Sequence, residues 1–367
     1  MPTTKNRNLI AAQSAKNDEF YTQLPDIEEE LKHYKDHFRN KVVYCNCDDP
    51  TISSFSRYFS LNFNELGLKK LITTCYKNQN FDLFSQHNQE RAIGIEYVGE
   101  GHSGTSDLNK DGIVPLLVQA TFPPITGNAF LLKGDGDFRS RECIELLKQS
   151  DIVVTNPPFS LFREYVAQLV GYGKKFLIIG NKNAINYKEI FKLIEDGKLW
   201  VGNTPMSKDM LFDVPQDYAE ELVATKKEGS AYKIVDGVVK GRSQSIWFTN
   251  LDYPKRHEDL ILYKRYLGHE DEYLRYDNYD AIEVSRTKDI PVDYDGIMGV
   301  PITFLDKYNP GQFEILGVTD RTNSSGLRTK KYSANDAPNY NDLNRGGVIR
   351  RGDKLEKKYG RILIRRK

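Results

Sequence analysis

Residues 151–160 read "DIVVTNPPFS": an apolar run, Ile152, Val153 and Val154, stops against Asn156-Pro157-Pro158-Phe159. Proline cannot donate to a sheet ladder and pushes the residue before it into an extended conformation, so the stretch reads as a buried strand ending on an extended Asn156. Open α/β sheets bind ligands beyond the carboxyl ends of their strands. The tetrapeptide therefore belongs at the mouth of a ligand site. An extended Asn offers a side-chain carbonyl, the proline after it a backbone carbonyl, and Phe159 a flat ring on which a planar heterocycle can stack. Together they suit an amino group on a heteroaromatic ring. Two acceptors hold its lone pair out of conjugation and aim it at an electrophile, which methylation of a weakly nucleophilic amine requires.

Outward from this strand, short β-rich runs recur at residues 41–47 (KVVYCNC), 69–76 (KKLITTCY), 92–99 (AIGIEYVG), 129–135 (AFLLKGD) and 174–181 (KKFLIIGN). Between them, "SRECIELLKQS" has helical apolar spacing, and "SLFREYVAQLVGYG" opens on Ser160 as a candidate cap and closes on glycines. Strand alternating with helix predicts an α/β fold with a mostly parallel sheet covered on both faces. "SQSIWFTNL" (243–251) reads as one more strand of the same sheet, and "EGHSGTSDLNKDG" (100–112) as an exposed excursion. Past about residue 200 the chain becomes rich in Tyr, Asp, Lys and Arg, with few continuous apolar runs.

The chain has 367 residues, 28% charged and 39% hydrophobic, which is ordinary for a globular protein. No apolar run approaches the roughly 20 residues of a membrane span, and the amino-terminal residues lack an apolar signal core; a cytoplasmic protein without a membrane partner is expected. Cys45, Cys47, Cys75 and Cys143 are too scattered for a disulfide framework or a zinc site, and read as small buried hydrophobes. His33 and His37 are spaced to share a helix face, but with no third ligand nearby no metal is expected. Neither a Gly-x-x-x-x-Gly-Lys-Ser/Thr loop nor a His-Glu-x-x-His pair occurs. Charge is uneven: residues 321–367 hold 14 Lys and Arg against 4 Asp and Glu, a segment of +10 that leaves −9 for the rest of a chain of net charge +1. A basic segment on an acidic body points to a polyanionic partner.

Asn-Pro-Pro-Phe after an acid-plus-apolar strand resembles the (Asp/Asn/Ser)-Pro-Pro-(Tyr/Phe) signature of S-adenosylmethionine-dependent methyltransferases acting on such amines. With "KNDEFYTQ" (16–23), "YCNCDDPTISSFSRYF" (44–59), "LKGDGDFRS" (132–140), "IWFTNL" (246–251), "YDNYDAIEV" (276–284) and "IPVDYDGIMGVPITF" (290–304), the chain resembles the EcoRI-type family of adenine-specific DNA methyltransferases over nearly its whole length. The resemblance implies a Rossmann-like S-adenosylmethionine-binding domain over about residues 1–250 and target-recognition elements over about 205–367, partly interleaved with it. It implies Asn156, Pro157, Pro158 and Phe159 as the catalytic residues, with the target base turned out of double-stranded DNA. Lys16, Tyr21 and Thr22 fall where related enzymes close over the methionine end of the cofactor. Asp48, Asp49 and Pro50 follow the first strand as further cofactor-binding residues, the two aspartates accepting from the cofactor's ammonium, and Ser53 or Ser54 is placed to cap the next helix. Here the sequence departs from the usual pattern, because no glycine occurs between Cys45 and Phe63 to let the backbone approach a ligand. Asp135 or Asp137 of "GDGDF" would accept from the cofactor's adenine amine. The second strand ends on "TTCY" and supplies no acidic ribose ligand. Lys330, Lys331, Arg350 and Arg351 are the expected phosphate contacts, and a cognate restriction endonuclease is an expected associate of such a system. Other amine substrates (RNA, cytosine, a glutamine side chain) and an inactive DNA-binding relative are the alternatives. The basic segment disfavours glutamine, and the intact Asn-Pro-Pro-Phe disfavours inactivity.

Overall fold

The computed structural model describes residues 22–47, 50, 53–76, 92–98, 128–214, 216–320 and 326–367. The chain divides into two compact units, one of residues 1–184 and 208–251, the other of 185–207 and 252–367.

The first unit is built on β1 (Val42–Cys45), β2 (Lys70–Thr74), β3 (Ile93–Tyr97), β4 (Asn128–Leu131), β5 (Ile152–Thr155) and β6 (Lys175–Asn181), with Ser245–Thr249 joining the same sheet. Its strands run in the order β4-β3-β2-β1-β5-β6 and then Ser245–Thr249. The pairs β1–β2, β1–β5 and β5–β6 are parallel, whereas β3 is antiparallel to β2 and to β4, and Ser245–Thr249 is antiparallel to β6. A mostly parallel sheet is therefore present. Every residue of β1 and β5 is buried, the continuous apolar pattern of strands covered on both faces. Because β1 has β2 on one side and β5 on the other, the chain reverses direction across the sheet there, opening a crevice at the carboxyl ends of β1 and β5.

The longer helices of this unit, among the described residues, are α1 (Leu24–Leu31), α2 (Ser54–Leu61), α3 (Arg141–Gln149), α4 (Phe162–Gly171) and, farther along, Gln216–Ala224. Ser53 caps α2, accepting from the Phe55 and Ser56 amides at 3.2 and 3.4 Å; Ser140 caps α3, accepting from Cys143. Each satisfies amide groups that a helix start leaves without a partner. α4 buries Phe162, Tyr165, Val166 and Leu169, a stripe at helical spacing. Ser160 does not cap it. Residues 159–161 instead form a single 3-10 turn, closed by the Leu161 amide on the Pro158 carbonyl at 3.0 Å, and α4 starts only after Leu161. Nor do His33 and His37 share a helix face, since α1 ends at Leu31 and His37 lies in a separate turn of helix, Lys35–Phe38.

Residues 208–251 add a three-stranded antiparallel sheet of β7 (Met210–Asp213), β8 (Tyr232–Val235) and β9 (Val238–Ser243), ordered β7-β9-β8. Ser245–Thr249, directly after β9, is β10.

The second unit contains α5 (Lys188–Glu195) and a four-stranded sheet of β11 (Ile282–Glu283), β12 (Met298–Pro301), β13 (Phe313–Val318) and β16 (Arg361–Arg366), in the order β11-β12-β16-β13. The hairpin β14 (Val348–Arg351) and β15 (Lys354–Lys357) precedes β16. Ile282, Met298, Val300, Phe313, Ile362, Leu363 and Ile364 form its core. Within it Glu283 is buried, receiving Arg361 Nη2 and Nε at 2.8 and 3.0 Å together with the Tyr276 hydroxyl. The Tyr276 ring lies where side chains at Gly299 and Gly347 would project, so both positions must stay bare.

Candidate active site

β5 carries Asn156 to the crevice, where it is 2% exposed, and its Nδ2 donates to Thr22 Oγ1 at 3.4 Å. Thr22 and Asn156, 134 positions apart, are thus brought together. Pro157 is buried with Asn156, while Pro158 and Phe159 are half-buried at the start of the 3-10 turn.

Beside this strand end, Asn46 leaves β1 and ties the two strands together: its carbonyl accepts from Thr155 Oγ1 and its side-chain oxygen from the Tyr165 hydroxyl. Burial pushes the Tyr165 hydroxyl well above its usual titration range, so it stays a donor. Cys47 follows with φ +74°, a left-handed conformation normally left to glycine. The glycine that the sequence lacks here is replaced in conformation by a cysteine; backbone strain of this kind costs about 1–3 kcal/mol and concentrates at functional sites. Pro50 is buried beyond it. Lys16, Tyr21, Asp48 and Asp49 lie outside the described residues.

The "GDGDF" turn reaches the same rim from β4. Leu132 still pairs with Ala92 at the start of β3, and Gly136, at φ +79°, then packs on the Cys75 carbonyl just past β2. A Cβ at 136 would overlap that carbonyl oxygen. Gly136→Ala is therefore expected to cost more than about 1 kcal/mol and to displace the turn, read as a lower melting temperature. The two aspartates divide their work. Asp137 gives both oxygens to Arg139, at 2.9 Å (Nε) and 2.6 Å (Nη2), and the hydrogen bonds from that guanidinium hold its carboxyl below the usual range. Asp135 accepts from the Asp137 amide through Oδ1 at 3.0 Å. Asp135 is accordingly the better placed of the two for a ligand's amino group.

A cleft continues from Thr22, lined by Asp26, Ile179, Met210, Phe212, Ser243 and Ser245 among others. Asn46, Gly136, Met210, Phe212 and Ser243 escaped the sequence reading. A polar residue closing an apolar strand was the available signal for Asn46, and the Asp-Gly-Asp spacing for Gly136; the cleft residues carried none.

In the second unit, Lys330 and Arg350 converge on Asp277: Lys330 Nζ lies 3.2 Å from Oδ2, Arg350 Nε 3.0 Å from Oδ1, and the Tyr332 hydroxyl donates to Oδ2 at 2.7 Å. The Arg350 hydrogen bond leads in drawing the Asp277 carboxyl down to about 2. Lys331 is exposed, and Arg351 Nε lies 3.6 Å from Glu356. A carboxyl depressed in the folded state adds stability that is present above its unfolded value, about 3.9, and is lost as pH falls through the folded one. Urea midpoints should therefore drop between about pH 4 and pH 2, and Asp277→Asn should remove part of that drop.

The family model for the EcoRI adenine-specific methyltransferase matches residues 8–367. Curated relatives include the type II methyltransferase M.EcoRI of Escherichia coli, 48% identical over 311 residues that span 85% of this chain and 89% of the relative. M.MpnI of Mycoplasma pneumoniae is 37% identical and M.MgeORF184P of Mycoplasma genitalium 36%, each over 97% of both chains. No solved structure matches.

Proposed function

The chain belongs to the EcoRI family of adenine-specific DNA methyltransferases, and from that premise we propose that it transfers a methyl group from S-adenosylmethionine to the exocyclic amine of an adenine turned out of a specific duplex sequence. One observation carries this reading: Asn156 ends β5 beside the end of β1, in the crevice where such a sheet binds its ligands, with Thr22 in contact.

The residues at the rim fit the cofactor. Asp135 has an oxygen to offer an adenine amine, and the turns at Cys47 and Gly136 on the same rim are both left-handed. When bound, the cofactor supplies an electrophilic methyl on a sulfonium. Asn156 then holds the target amine through its side-chain oxygen, the Pro157 carbonyl accepts the second amine hydrogen, and Phe159 stacks on the extruded base. Extrusion costs a few kcal/mol, of which stacking recovers part. Asn156 acts by position and by opposing the positive charge growing on nitrogen; it is no strong base.

Sequence selection belongs to residues beyond about 205. Lys331 and Arg351 serve as phosphate contacts, and Lys330 and Arg350 join them with their charge shared with Asp277. A restriction endonuclease of matching specificity is the natural partner activity. Incubating the protein with DNA and S-adenosylmethionine labelled in its methyl group, followed by nucleoside analysis, tests the reading. Label in N6-methyladenine at one sequence is the expected result, and absence of transfer by folded protein would overturn it.

A further inference from the structure

The ribbon of β8 and β9 starts at the rim of the candidate active site and ends on an apolar tip. Ser243, the last residue of β9, lines the cleft that Thr22 shares. From there β9 runs back to Val238, about 17 Å away at a strand's rise per residue. The chain then turns through Asp236 and Gly237, both left-handed at φ +51° and +77°, which is the geometry of a tight hairpin. Val238 is 54% exposed, Ile234 51% and Val235 38%. Branched apolar side chains gathered on a projecting tip mark a surface that something covers.

The cross-strand register says what that is. Val235 pairs with Val238, and the next pair on the same face sets Lys233 opposite Lys240. Like charges so placed oppose folding, and ion pairs of Lys233 with Asp209 and of Lys240 with Asp213 offset this. Arg242 follows on the same face, also paired with Asp209. Three cations thus line one face behind an apolar point, and because β7 pairs with β9 only from Lys240 to Ser243, that point, Ile234 to Val239, extends beyond the third strand. Only the tip is two strands wide, a width that a duplex groove admits; apolar side chains at such a tip can wedge between stacked bases while cations behind them meet phosphates.

We propose that the β8–β9 ribbon opens the duplex at the target. Lys233, Lys240 and Arg242 lie along phosphates near the target base, while Val235 and Val238 press into the stack and occupy space that the departing adenine leaves. This rests on the methyltransferase reading above and adds the element that drives extrusion.

The full-length double variant Val235→Ser/Val238→Ser tests it on a duplex carrying 2-aminopurine at the target. Expected are a fluorescence rise on binding at least about fivefold smaller than wild type, a single-turnover rate about 10- to 100-fold lower, and an unchanged melting temperature. A second variant, Lys233→Gln/Lys240→Gln, should flatten the dependence of log affinity on log salt by up to about two units. Wild-type fluorescence and rate in the valine variant, beside an active wild type, would overturn the ribbon's role and leave the methyltransferase reading standing. An inactive wild type would instead overturn that reading.

Discussion

Replacing Asn156 by alanine is expected to slow methyl transfer by about 10²- to 10⁴-fold, the range for losing a group that acts mainly on developing charge. Its side-chain oxygen matters most as the target nitrogen turns positive, so cofactor and DNA affinities should change far less than the rate. Asn156→Asp should keep activity, because a carboxylate still accepts from the amine and opposes its charge more strongly. The 3.4 Å bond from Asn156 to Thr22 raises an ambiguity, since alanine removes that contact too. Thr22→Val resolves it. Losing that contact alone should cost well under tenfold, whereas loss of the carboxamide oxygen gives the full effect. Phe159→Ala should act on a different step, weakening the extruded state by about 1–3 kcal/mol while leaving the amine's orientation intact. Rapid-quench measurement of labelled methyl, combined with fluorescence of an adenine analogue, separates the two. A folded Asn156→Ala protein with a wild-type single-turnover rate would make the Asn-Pro-Pro-Phe turn structural only.

The second large effect is on stability. Arg361→Ala should destabilise the second unit by about 3–5 kcal/mol, because it strands the Glu283 carboxylate in a core that cannot solvate it. The pair is 13% and 3% exposed at its side chains, and the guanidinium meets the carboxylate through two nitrogens. Removing both charges at once, as Arg361→Met/Glu283→Gln, should be milder than removing Arg361 alone, since the remaining amide can still accept from the Tyr276 hydroxyl. Urea unfolding followed at the tyrosines of this unit would read both. Equal midpoints for Arg361→Ala and wild type would mean that solvent reaches Glu283 freely.

The centre of the first unit was legible because its strands are short continuous apolar runs, and runs such as Ile152–Val154 leave little choice but burial on both faces. Direction was not written there. "AIGIEYVG" reads the same whether it runs with or against its neighbour, and β3 proves antiparallel to β2. Ser160 shows a limit of local rules: it has the right chemistry for a cap, but the prolines before it force a 3-10 turn that moves the helix start past it. In the second unit, strands as short as Ile282–Glu283 give no periodicity to read, and its core leans on tyrosines that look polar in sequence. The basic residues near the carboxyl end could be counted, but Asp277, which gathers Lys330 and Arg350, lies 53 and 73 positions earlier. Long-range ion pairs leave no local trace.

β16 is the last strand in the sequence, yet it lies between β12 and β13. On the ribosome, then, the order of synthesis runs against the order of assembly. β12 and β13 emerge long before the strand that joins them, and until it arrives each offers an edge of unsatisfied amides and carbonyls to any other extended chain nearby. A nascent chain spends that interval exposed to aggregation and to chaperones. A message cut short before the codon for Arg361 would encode every residue of the first unit, but a second unit with a gap in the middle of its sheet. Quality control would meet such a product as an unfolded segment, which favours its removal.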